Sequence, residues 1–232
     1  MANPAIASEA AVEAEPGGGR LSDLAYARVL EALFDSRLPA GAFVSQNDLV
    51  RLVGIPVAPL RDALRVLEAE GILTIHPRSG IQFTKPGAEL TKSTYQLRTI
   101  IERAAVRVFC ETATDDEIAA LRQRHLDMGR QLEKTGIDAA ALRGLDELER
   151  LLHGSIMGAL QNPLAENAHA RMSTYLRLVR LDRRLTVPLA QRTMREHLAI
   201  VTALAARDPE AAEAALIAHL TAALQRHLGM FI

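Results

Sequence analysis

Between residues 43 and 84 the spacing of apolar positions changes from a helical to an alternating period. Leu49, Val50 and Val53 fall on one side of a short helix, with Ser45 and Asp48 forming an S-x-x-D start and Gly54 a stop. A second helix starts between Pro56 and Pro59, since proline is tolerated in a first turn. Its Leu60, Leu64 and Leu67 face the first helix, and Arg61 and Arg65 are left on the open side. After Gly71 the period drops to two. Leu73 and Ile75 alternate with Thr74 and His76, Pro77-Arg78-Ser79-Gly80 turns the chain, and Ile81 and Phe83 carry a returning strand.

Helix, turn, helix and hairpin in this order predict a winged helix-turn-helix, a unit that docks on double-stranded DNA. Beyond Thr84-Lys85-Pro86-Gly87 the period is helical throughout, in six segments near 91–112, 115–135, 138–161, 163–184, 188–206 and 209–230. Turn signals separate them at Thr112-Ala113-Thr114-Asp115, Gly136, Asn162-Pro163, Thr186-Val187-Pro188 and Asp208-Pro209. Few aromatics and many Ala and Leu suit close helix packing with room for a ligand cavity. The expected fold is mainly α: an N-terminal winged helix-turn-helix over 21–84, a linker over 85–90, and an all-α antiparallel six-helix bundle over 91–232.

Charge adds little support for a nucleic-acid partner. The chain has a net charge of −1, and between residues 20 and 86 eight Lys/Arg stand against seven Asp/Glu. Binding to DNA therefore has to rest on local placement of arginines and on pairing two copies as a homodimer. Cys110 is the single cysteine, which excludes an internal disulfide and fits a reducing cytoplasm. Residues 1–20, rich in Ala, Glu, Gly and Pro, read as a disordered leader, without the basic start and apolar run of a signal peptide. No later stretch is long and apolar enough to suggest a membrane span.

The 21–86 segment resembles the DNA-binding domain of the GntR family of bacterial transcription regulators. The resemblance is carried by Leu38-Pro39-Ala40-Gly41, Leu49, Gly54, Pro59-Leu60-Arg61-Asp62-Ala63-Leu64, Leu67, Glu70-Gly71-Ile72 and Gly80. It implies that the second helix enters the major groove and that the wing, with Arg78 and Gly80, approaches the minor groove. Arg61 matches the family's arginine for a base edge or a phosphate. Two departures stand out: Asn47 replaces an arginine often found in the preceding helix, and Pro56-Val57-Ala58 replaces a polar Ser-Arg-Thr run. Val57 and Ala58 cannot make two-point base contacts, although either can touch a thymine methyl, so sequence specificity should differ from the family's usual one or be weaker.

In the helical half, the histidines carry the chemical signal. His197 lies eleven residues before Asp208 and His219 eleven after it, so in an antiparallel hairpin both sit about 16 Å from the turn. Glu149 and His153 are one helical turn apart on one face. Three imidazoles and a carboxylate converging in a bundle core would make a metal site with a position open to a ligand. Buried core histidines are the other reading, and placement alone leaves both open. A metal-dependent hydrolase with an accessory winged helix, Glu149 acting as general base, is a further alternative, although neither H-E-x-x-H nor G-x-S-x-G occurs.

Residues 141–232 resemble the FCD ligand-binding domain that follows the winged helix in the FadR-like branch of these regulators. The matching residues are His153, Ala159-Leu160-Gln161-Asn162-Pro163-Leu164, Glu196-His197-Leu198-Ala199-Ile200, and Ala212, Ala215, His219 and Leu220, with Leu97-Arg98-Thr99-Ile100-Ile101-Glu102 resembling the domain's opening helix. Six helices resemble the VanR-like group. The resemblance implies a divalent metal on His153, His197, His219 and Glu149, the last one methylene longer than the family's aspartate, with zinc first and nickel or manganese as alternatives. It also implies a small organic-acid effector, and a ligand-responsive regulator, a repressor rather than an activator, is the function expected of the chain. Arg98 is the candidate for the effector's carboxylate, or else pairs with Glu102. Tyr95 lines the same cavity or simply packs. Arg177, Arg180, Arg183 and Arg184 read as solvated surface and Asn162 as a helix cap, whereas His76, His125, His169 and His227 show no partners by spacing.

Overall fold

The computed structural model describes residues 18–181 and 185–229, which fall into two compact units divided after Thr84. The leader expected at residues 1–20 lies outside the described residues up to 17, and helix α1 (Gly18–Phe34) already begins within its last three. The first unit continues with β1 (Phe43–Val44), α2 (Gln46–Val53), α3 (Val57–Ala69), β2 (Leu73–His76) and β3 (Gly80–Phe83). Helix α2 starts where the sequence marks it. Ser45 Oγ accepts from the Asp48 amide at 3.1 Å while the Asp48 carboxylate accepts from the Ser45 amide, a reciprocal cap. Gly54, at φ 66°, closes the helix with its N–H on the Val50 carbonyl.

Helix α1 completes the core of this unit. Ala25, Val29, Ala32 and Leu33 are fully buried with Leu49, Leu60, Leu64 and Leu67. Tyr26 Oη donates to Glu70 at 2.8 Å and Arg28 to the Val53 carbonyl at 2.8 Å, tying α1 to the ends of α3 and α2. Strand β1 is too short for a two-residue period to show in sequence. It pairs antiparallel with β3, giving the order β1-β3-β2, with Val44 opposite Ile81 and Ile75 opposite Ile81 on the other edge.

The second unit holds α4 (Ala88–Thr112), α5 (Asp115–Thr135), α6 (Ala139–Gly158), α7 (Pro163–Leu181), α8 (Val187–Ala205) and α9 (Pro209–His227). The six expected segments are therefore present, with ends shifted by a few residues. Helix α4 starts three residues earlier than expected, inside the anticipated linker, with Thr91 Oγ1 donating back to the Gly87 carbonyl. Side-chain caps set four of the other starts, Thr114 with Glu117 for α5, Asp138 for α6, Asn162 for α7 and Asp208 for α9, whereas α8 starts with Pro188 in its first turn. One end of the bundle is filled by Phe109, Leu121, Leu152, Ile156, Leu176, Ile200, Leu204, Leu216 and Leu220, and a smaller cluster joins Met128, Leu132, Leu148 and Met194. Buried histidines and charged groups occur beside these apolar clusters.

Candidate metal centre

Four helix positions bring Glu149 and His153 of α6, His197 of α8 and His219 of α9 to one point. One ligand atom from each lies within 4.8 Å of all the others. The three histidines are buried and Glu149 is 15% exposed. His153 Nε2 and His197 Nε2 each stand 3.6 Å from a Glu149 oxygen, are shielded from solvent, and lack a hydrogen-bond partner. Buried polar atoms are normally paired, so two orphaned imidazole nitrogens facing a carboxylate form a donor set that fits a divalent cation.

The second nitrogen of each histidine is held. His153 Nδ1 donates to Glu102 Oε2 at 2.7 Å, His219 Nδ1 to Glu196 Oε2 at 3.0 Å, and His197 Nδ1 lies 3.1 Å from His125 Nε2. Such partners leave the lone pairs on Nε2 and orient the rings. Each carboxylate is matched by arginine: Glu102 by Arg98, Glu196 by Arg226 at 2.7 Å, and Glu149 by Arg180 at 2.7 Å and Arg98 at 3.3 Å. Burial alone would raise the Glu149 carboxyl, but Arg180, His153 and Arg98 together hold it well below the usual range. Burial, helped by Arg98, pushes His153 down to about 4 against the pull of Glu102 and Glu149, and burial lowers His197 as well. His153 and His197 are thus held as neutral imidazoles and Glu149 as an ionised carboxylate, the forms that ligate metal.

A cavity of about 40 Å³ opens beside Glu149, lined by Arg98, Asp146, Arg150, Ser173, Arg177 and Arg180 among others. Arg98 is among its lining residues, and its buried guanidinium is engaged by Glu102, the pairing named as its alternative role. Tyr95 is buried with its hydroxyl 2.8 Å from His227 Nδ1, so it has the packing role and gives His227 a partner. Two expectations are corrected. Arg180 is not solvated surface: it reaches from α7 onto Glu149, and Arg177 pairs with Asp146 at 3.0 Å. Arg183 and Arg184 lie outside the described residues. Nor are His125, His169 and His76 without partners. His125 supports His197, His169 Nε2 lies 3.2 Å from the Glu102 carboxylate as a charge contact without a hydrogen bond, and the His76 ring sits 5.8 Å from that of Phe43. Glu102 and Glu196 had signals, at i+4 from Arg98 and beside His197; His125 and His169 had none, because only packing of α5 and α7 brings them in.

On the winged unit, Asn47, Val57, Ala58, Arg61, Arg65 and Arg78 are all exposed, on α2, on α3 and at the hairpin tip. Arg65 is 3.8 Å from Asp62. Gly80 is half-buried, and its place in the hairpin is set by a close approach. At φ 150°, a Cβ there would meet the Phe43 ring and the Val44 carbonyl at 2.8 Å.

Comparison with known proteins agrees with both halves. Residues 21–83 match the family described as bacterial regulatory proteins, gntR family, and residues 93–222 match the FCD domain. The chain is 29% identical over 192 residues to the Nta operon transcriptional regulator of Aminobacter aminovorans, spanning 83% of this chain and 85% of that protein. It is 27% identical over 200 residues to the transcriptional repressor NanR of Cronobacter sakazakii, spanning 76% and 73%. Among solved structures, McbR/YncC of E. coli superposes with a TM-score of 0.76 at 17% identity, over 91% of this chain and 99% of that one, and so shares its fold. A family of regulators leaves no support for the hydrolase alternative. Among the described residues no helix is long and apolar enough to cross a membrane. The chain belongs to the GntR family of bacterial regulatory proteins, in its FadR-like branch, as a DNA-binding transcriptional regulator whose winged helix is followed by an FCD domain.

Proposed function

We propose that this regulator is a repressor released from its operator by a small organic acid bound beside a divalent metal. Residues 21–84 form the DNA-binding domain in this reading, 85–90 the link, and 91–232 the effector-binding and dimerisation domain. The carrying observation is the pair of orphaned, buried nitrogens, His153 Nε2 and His197 Nε2, facing Glu149 next to His219. Those four side chains would hold the ion, and three imidazoles with one carboxylate favour zinc, with nickel or manganese next. Bound there, the ion would supply a positive point for the effector's carboxylate. Arg180, with Arg150 and Arg177 around the cavity, offers that carboxylate its charge partner, and Arg98 lies deeper. The cavity has the volume of one or two waters, so an effector must displace Arg180 or part the helices around it.

On DNA, Arg61 and Arg65 of α3 and the Arg78 wing tip make the contacts, with Asn47, Val57 and Ala58 beside them and Gly80 shaping the hairpin. A homodimer reads two half-sites, so a small rotation of one winged helix against the other costs much of the affinity. The related NanR is itself a repressor. The test is fluorescence anisotropy of the full chain on DNA from upstream of its own gene, with random duplex as control. Tight, near-palindromic binding that zinc and a screened set of organic acids reverse is the expected result. Equal affinity for both duplexes at physiological salt sinks the regulator's operator reading, and release by no acid sinks the effector reading.

A further inference from the structure

His125 stands outside the quartet, yet it is fully buried and touches one of its members. Its Nδ1 lies 2.7 Å from the Leu121 carbonyl oxygen and its Nε2 lies 3.1 Å from His197 Nδ1. A carbonyl oxygen only accepts, so the His125 proton sits on Nδ1. With that proton on Nδ1, the other nitrogen of an imidazole, Nε2, is the acceptor. The hydrogen in the 3.1 Å contact therefore belongs to His197 Nδ1. His197 is left with its lone pair on Nε2, the atom that faces Glu149 and lacks a partner.

We infer that His125 is a positioning residue, a neutral relay from the α5 backbone that fixes His197 in the tautomer and orientation needed to ligate a divalent cation. The role rests on the metal reading proposed above. His153 and His219 are oriented by carboxylates, Glu102 and Glu196. A third carboxylate behind His197 would add buried negative charge where Glu102, Glu149 and Glu196 already face Arg98, Arg180 and Arg226. An imidazole does the same orienting work without charge.

The test uses the full chain, labelled with ¹⁵N-histidine, in two measurements. Long-range ¹H–¹⁵N spectra of chelator-treated protein read the His197 tautomer, and competition with a chromophoric chelator reads the Zn²⁺ affinity. Wild type should carry the His197 proton on Nδ1. His125→Leu, which cannot accept, should mix the tautomers and weaken Zn²⁺ by about 10- to 100-fold. His125→Gln, whose amide oxygen can accept, should recover most of that loss. Equal losses in both variants, or a His125→Leu protein with wild-type affinity, overturns the role. If His125→Leu does not fold, the wild-type tautomer decides: Zn²⁺ binding with the His197 proton on Nε2 overturns the His125 inference alone. A wild type that takes up no Zn²⁺ overturns the metal reading and this role with it.

Discussion

Arg180 Nη2 lies 2.7 Å from Glu149 Oε1, so the one carboxylate of the candidate metal quartet is already shared with a guanidinium from another helix. Glu149 also faces Arg98 at 3.3 Å and two imidazoles at 3.6 Å. A cation entering the quartet competes with Arg180 for this oxygen and is repelled by its charge. Arg180→Ala should then tighten Zn²⁺ binding, by about fivefold on the scale of a partly exposed ion pair. The same variant should lose its response to organic acids. Chelator competition and operator-release titrations on one protein sample check both signs, and a variant with weaker Zn²⁺ binding contradicts the competition.

Glu102 is fully buried, pairs with Arg98, itself 2% exposed, and accepts from His153. Removing its charge leaves the buried guanidinium with Glu149 alone, at 3.3 Å, and breaking such a pair from one side costs up to about 3–5 kcal/mol. Glu102→Leu should therefore lower the stability of the metal-free protein by that order in urea unfolding. Combining it with Arg98→Leu should recover part of the loss, since two apolar groups replace a matched pair. A double variant as unstable as the sum of the singles would falsify the coupling.

The quartet was legible in two halves by helix arithmetic, one turn between Glu149 and His153 and equal spans from Asp208 to His197 and His219, while joining the halves into one ligand set rested on the resemblance to the FCD domain. Around it, legibility fails for a physical reason. Arg180, His125 and His169 come from helices whose only relation to the quartet is packing, and no spacing within one helix encodes a contact between helices. Arg180 shows the cost directly. Its neighbours spread arginines over several faces, which looks like solvated charge until α7 is laid against α6. In the winged unit, the capped α2, α3 and the hairpin were legible, whereas β1 has only two residues.

Arg61 is exposed on α3, where Leu60 and Leu64 are buried. Nothing in the winged unit's core depends on it. Arg61→Ala should leave the melting temperature unchanged and weaken operator binding by about 1–3 kcal/mol if the guanidinium reads a base edge. If it grips a phosphate, the loss is uniform across sequences and the salt dependence of binding becomes shallower by about one charge. Anisotropy titrations at several salt concentrations, on operator and random duplex, separate the two. Wild-type affinity on both duplexes removes Arg61 from the contact set.

Gly80 makes the opposite case, a wing residue whose part in DNA binding is indirect. Its φ of 150° is a backbone region that L side chains rarely adopt, and the space for a Cβ is filled by the Phe43 ring and the Val44 carbonyl. Gly80→Ala must push β1 off β3 or twist the hairpin, at a cost of about 1–3 kcal/mol. Both melting temperature and operator affinity should fall together, unlike the split expected for Arg61→Ala. Phe43→Ala in the Gly80→Ala background removes the ring that a Cβ would strike but not the Val44 carbonyl. Thermal melts of the single and double variants should therefore show only partial recovery. Full recovery would mean that the ring alone demands glycine, and none that the backbone conformation does.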